Sequence, residues 1–175
     1  MRIIIAGLLG GIAMFIWSSI AHVATPLATT GINMVRNATA LNDTVAAAIN
    51  HRDGLYVFDK AVTGTTMGET GFLVFNSNAP TAMVPANLII EFATEVAESI
   101  FAAWLLAQTA LAGFGARVGF VSIVGVVASI ATNVPYWNWY RFPTSFTLAA
   151  IIITLVAYFV AGIVIASVLR PRTTA

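Results

Sequence analysis

Glu91, Glu95 and Glu98 offer the most chemistry in this chain of 175 residues. Spacings of four and three place all three carboxyls within about 60° on one face of a helix. Asn87 extends the same stripe. Carboxyls so arranged can bind a proton, a cation or a small ligand. They can equally form a neutral hydrogen-bond network that fixes helix packing. The stretch around them is apolar and holds no lysine or arginine. Burial and mutual repulsion both favour the neutral acid, so at least one of Glu95 and Glu98 is expected to carry a proton at neutral pH. Glu91 and Glu95 are assigned to a pocket, and Glu98 to a scaffold role.

The elements that hold these acids follow from composition. Hydrophobic residues make up 59% of the chain and charged residues 9%. An ordinary soluble domain carries about 25% charged residues. So few charges cannot cover a water-facing surface, which argues for a membrane protein. Eight basic residues offset by seven acidic ones leave a net charge of +1, which excludes nucleic acid as a partner. The absence of cysteine excludes disulfides, thiolate metal sites and cysteine nucleophiles.

Four stretches approach the roughly 20 apolar residues that a membrane helix needs. They run about 3–23, 86–111, 115–134 and 147–169. The first begins with Arg2 and an apolar run, as secretion signals do. Its apolar part is long and no cleavage site is convincing, so a retained helix is expected. Four spans put both termini on one side. Arg2, Arg117, Arg170 and Arg172 make that side cytoplasmic by the positive-inside rule, against Arg141 in the third loop. Arg36, Arg52 and Lys60 in the long first loop carry less weight.

An ionised carboxyl at mid-membrane costs at least about 2.5–3.5 kcal/mol, so the three acids must face the bundle interior, a cavity or a partner. Other spans carry matching stripes: Gly7, Gly11, Ser18 and His22 on the first, and Gly115, Gly119, Ser122, Ser129 and Asn133 on the third. Thr147, Thr154 and Tyr158 form a weaker stripe on the fourth. Small residues let membrane helices approach closely. With alternating directions, His22, Glu91, Glu95 and Asn133 reach similar depth near the outer face. Pro135–Ser145 is read as a loop at that level, with Tyr136, Trp137, Asn138, Trp139, Tyr140 and Arg141. Trp137, Trp139 and Tyr140 are therefore counted as candidate ligand-binding residues, with an interfacial aromatic belt as the alternative.

The loop 24–84 is read as a small subdomain outside the membrane. Asn42 or Asp43 is expected to cap a short helix through Asn50. Gly54–Phe58 and Gly71–Phe75 read as two strands of a hairpin, with Gly64 and Gly68 between them. It is expected to pack on the outer end of the bundle.

Few motifs point to catalysis. A di-iron bundle needs two Glu-x-x-His pairs, and none is present. Only His22 lies in a span, His51 being in the loop, which disfavours a bis-histidine haem. His22, Glu91 and Glu95 are weak metal-ligand candidates. No phosphate loop, serine elbow or His-Glu-x-x-His occurs. No cofactor is expected.

Gly54-Leu55-Tyr56-Val57-Phe58 and Trp137-Asn138-Trp139-Tyr140-Arg141-Phe142-Pro143, with the residues from Asn133 onward, carry a resemblance. In these motifs and along its length the chain resembles small uncharacterised bacterial inner-membrane proteins with four spans. The resemblance implies a location and no chemistry.

The expectation is a single all-α integral membrane domain over 1–175, a four-transmembrane-helix bundle with the loop subdomain outside and an acidic pocket near the outer face. Its first functional reading is a non-enzymatic accessory or interaction subunit. Its partners would be the lipid bilayer and a membrane protein or a second copy. The alternatives are a protein that binds or transports a proton, cation or small ligand through Glu91, Glu95 and Glu98, and a metal-dependent membrane enzyme.

Overall fold

Helix α1 (Arg2–Ala24) presents small residues where it packs and large ones where it does not. Ala6, Gly7, Gly10 and Gly11 are buried, while Ile4, Ile16 and Ile20 are exposed. That inversion of the soluble pattern suits a helix whose outer surroundings are as apolar as its core. The computed structural model describes residues 1–61, 68–80 and 83–169. After α1 come a 3-10 turn at Leu27–Thr29, α2 (Ala38–Ala48), β1 (Gly54–Ala61) and β2 (Gly68–Phe75). Then come α3 (Pro85–Ala107), α4 (Phe114–Tyr140) and α5 (Thr144–Val168). The described residues are mostly helical, with one small two-stranded sheet.

Among the described residues, three helices, α1, α4 and α5, are long and apolar enough to cross a membrane. The remaining stretch, α3, matches α1 in length at 23 residues but carries the three carboxylates.

Two compact units divide the chain, 1–32 with 84–175, and 33–83. In the first, α1 packs along α3 and along α5, and α5 packs along α4. Helices α3 and α4 are consecutive yet touch each other little. The seams thus run in the order α3, α1, α5, α4. The core between them holds Met14, Ala102, Ala103, Val121, Ala161 and Ile165. At Gly7 and Gly11 a Cβ would fall 2.5 Å from the Cα atoms of Ile100 and Val96, so only glycine permits this approach of α1 to α3. Gly115 and Gly119, expected to pack in the same way, have nothing within 4 Å of such a Cβ and face open space. Gly125 serves instead, against Tyr158.

Helix α4 departs from the sequence reading. It continues through Pro135 to Tyr140, so the aromatic run expected in a loop is helical. Proline removes its own N–H from the ladder and crowds the carbonyl one turn earlier, yet α4 runs on past it. The turn beyond is supported by Tyr136 and Tyr140, one turn apart with ring centroids at 5.7 Å. Arg141 ends the helix in the left-handed region at φ 58°, a conformation that costs a side-chain-bearing residue energy. At the opposite end of α4, Arg117 is buried, and its guanidinium donates to the carbonyls of Ala166, at 3.3 Å, and of Leu169. It thereby satisfies the open carbonyls that end α5. Arg170 and Arg172, used in the charge argument, lie outside the described residues.

The second unit is local in construction. Helix α2 starts earlier than expected, because Asn37 is the cap: its side chain accepts the Ala40 N–H at 3.0 Å. The hairpin is antiparallel, with Gly54 opposite Phe75 and Ala61 opposite Gly68. Its strands are longer than expected and take in Gly68, while Gly64 lies outside the described residues. The Asp53 carboxylate accepts the Ser77 N–H at 2.8 Å just beyond the paired ends. That bond holds the Asp53 carboxyl below its ordinary value of 3.8. Residues 24–32, assigned to the loop from sequence, belong with the helices.

Candidate functional site

All four long helices contribute to a cavity of about 310 Å³. Helix α1 supplies Met14, Ser18 and His22, one turn apart along a single face. Helix α3 supplies Glu91, Thr94, Glu95 and Glu98, the stripe expected from spacing. Helix α4 adds Ala128, Thr132 and Asn133, and α5 adds an apolar wall around Ile153 that also bears Thr154 and Tyr158. His22, Glu91, Glu95, Glu98 and Asn133, singled out from the sequence, therefore line one space. Trp137, Trp139 and Tyr140 are not among its lining residues. The Trp137 indole N–H donates to Thr144 Oγ1 at 3.1 Å, Trp139 is 77% exposed, and Tyr140 packs on Tyr136.

The three acids differ in surroundings. Glu91 is exposed and Glu98 half-buried, whereas Glu95 is only 6% exposed. Burial within the protein follows the neighbouring helix, since α1 packs directly over Glu95. The Ser18 hydroxyl donates to Glu95 Oε1. The other oxygen, Oε2, is buried and has no hydrogen-bond partner. The Tyr158 hydroxyl donates to Glu98 Oε2 at 3.2 Å. Sequence reasoning placed Ser18 and Tyr158 on polar stripes but did not pair them with the acids. The signal lay in hydroxyls facing a carboxyl stripe at matching depth.

Four of the remaining polar groups spend a hydrogen on the backbone. Thr94 donates to the Ile90 carbonyl at 2.9 Å and Thr154 to the Ala150 carbonyl at 3.1 Å. Asn133 Nδ2 donates to the Ser129 carbonyl at 3.0 Å. His22 Nδ1 lies 2.8 Å from the Ser18 carbonyl. A carbonyl only accepts, so this nitrogen carries a proton. Each of these bonds spends a donor.

Among the described residues, no three of His, Cys, Asp and Glu come together closely enough to hold a metal ion. His22, Glu91 and Glu95 share the cavity without forming such a cluster.

No protein-family model, curated protein or solved structure matches the chain.

Proposed function

We propose that the chain is a four-span protein of a bacterial inner membrane, with both termini cytoplasmic, that binds positive charge in the cavity between its helices. The observation that carries this reading is Glu95. It is 6% exposed, lines the cavity beside Glu91 and Glu98, and holds one oxygen without a donor. A buried acceptor left unpaired costs about 1–3 kcal/mol, which a bound proton or cation would offset. Counting α3 as a span accords with its length and with the turn of Glu95 and Glu98 toward the other helices. Acids placed in membrane spans mark ion or ligand paths more often than not.

A hydrophobic carbodiimide tests the reading, because it adds across a protonated carboxyl in apolar surroundings and leaves its whole mass attached. Dicyclohexylcarbodiimide should modify the peptide containing Glu95 and Glu98 in the detergent-purified protein, and rising pH should reduce the yield. Modification should vanish in the Glu95→Gln, Glu98→Gln double variant. No modification at any pH would refute a charge-binding site.

A second reading, an accessory subunit, draws on α3 itself. Glu91 and Thr94 are exposed on α3, a helix that touches α4 little, and a partner helix could cover them. Copurification from native membranes of a stoichiometric membrane partner would support it, and a solitary monomer would count against it.

A further inference from the structure

We propose, resting on the charge-binding reading above, that the cavity takes an organic ammonium: a primary amine on a compact apolar body. The hydrogen-bond inventory points to the head group. Ser18 and Tyr158 spend their hydrogens on Glu95 and Glu98. Thr94, Thr154, Asn133 and His22 each spend one on a backbone carbonyl. What the protein offers to the space is mostly acceptors: three carboxyl groups, hydroxyl lone pairs and the Oδ1 of Asn133, against the Thr132 hydroxyl and the second Nδ2 hydrogen of Asn133 as donors. A ligand that satisfies such a site brings several donors and a positive charge. An ammonium group has three N–H donors and no acceptor.

Size and shape separate this ligand from a bare ion. The cavity holds about 310 Å³, whereas a water molecule takes about 30 Å³. That volume reaches the range of small-molecule pockets, which begins near 300 Å³. The acids do not converge on a point: Glu91 and Glu98 lie about 10 Å apart along α3 at 1.5 Å per residue. No cluster suited to a metal ion forms among the described residues. The walls are also two-sided. Carboxyls occupy α3, while Met14, Ala128, Ala150, Ile153 and Ala157 supply apolar surface on the other helices. The ammonium lies on α3 and its carbon skeleton lies against α5 and α1.

The test uses the unmodified full-length protein and the same carbodiimide modification of the Glu95–Glu98 peptide. Four probes are compared at equal concentration: n-butylammonium, tetramethylammonium, sodium ion and uncharged n-butanol. Butylammonium should slow modification, counted as the carbodiimide adduct plus any butylamide formed by amine attack on the activated carboxyl, at least several-fold more than any of the others. Tetramethylammonium has the charge without N–H donors, and butanol has the carbon chain without the charge. Equal protection by sodium or tetramethylammonium would overturn the ammonium proposal while leaving a charge-binding site intact. Modification unaffected by every probe would overturn it too and leave a proton site. An Ala150→Phe variant, which fills the apolar wall, should still be modified but no longer be protected by butylammonium. Protection retained in that variant would refute the placement of the carbon body.

Discussion

The Tyr158 hydroxyl of α5 reaches across to α3 and donates to Glu98 Oε2 at 3.2 Å. Helices α3 and α5 otherwise touch little, so this bond is one of the few polar ties between them. A Tyr158→Phe variant keeps the ring against Gly125 and removes only the hydroxyl. The expected loss of stability is about 1 kcal/mol, read as a lower midpoint of thermal unfolding in detergent. An unchanged midpoint would show that the bond contributes nothing.

The other end of the same bond separates scaffold from charge. Glu98→Gln keeps a carbonyl oxygen to accept the Tyr158 hydrogen, and should leave thermal stability near that of the parent. Glu98→Leu strands a largely buried hydroxyl, and should cost about 1–3 kcal/mol. A leucine variant as stable as the glutamine variant would refute the scaffold role of Glu98.

Glycine is required on α1 and dispensable at the start of α4. Gly11→Ala drives a methyl to 2.5 Å from Val96 Cα. Overpacking of this kind costs about 1–3 kcal/mol or more. Gly119→Ala meets nothing within 4 Å and should leave stability unchanged or slightly raised, since alanine favours the helix. Comparing the two unfolding midpoints checks both, and equal effects would contradict the α1–α3 approach.

Much of the helical unit was legible because its signals are local and periodic. The bounds of the long helices follow apolar runs, and a 3.6-residue period places Glu91, Glu95 and Glu98 on one face. Alternating helix direction was enough to bring His22, Glu91, Glu95 and Asn133 to one level. Three features were not legible, each for want of a tertiary partner. Pro135 reads as a terminator, since proline removes a ladder bond and crowds the preceding turn, and local sequence does not show the aromatic contacts of the turn beyond. Gly115 and Gly119 share their spacing with Gly7 and Gly11, and spacing does not say which glycines have a neighbour. Arg117 reads as a topological charge, although its guanidinium is spent on α5 carbonyls. The exposure order of the three acids likewise depends on where α1 lies.

Acid should loosen the base of the hairpin. Asp53 accepts the Ser77 N–H at 2.8 Å, and its carboxyl is held below the ordinary 3.8 by that bond. A carboxyl with a lowered folded value adds stability above its unfolded value and loses it as pH falls through the folded one. The Ser77 amide resonance should therefore titrate with a midpoint below 3.8, and Asp53→Asn should abolish the titration. A midpoint at or above the ordinary value would show that the bond is absent in solution.

Membrane topology is open to a direct check with single cysteines in a chain that has none of its own. Gly113→Cys, between α3 and α4, should be shielded in intact cells from an impermeant thiol reagent. Asn42→Cys and Asn138→Cys should react, in keeping with the basic residues that flank the spans. Reaction at Gly113 and Asn42 alike would mean that α3 does not cross.

The clamp of Arg117 on the last turn of α5 also sets an order of events during synthesis. Its two acceptors lie 49 and 52 residues further along the chain. Until Ala166 has been made, the guanidinium has neither of them, and it has both only once Leu169 follows. The start of α4 and the last turn of α5 can therefore be joined only after both helices have been made. The pairing of these two helices is completed late, by a residue that was made early.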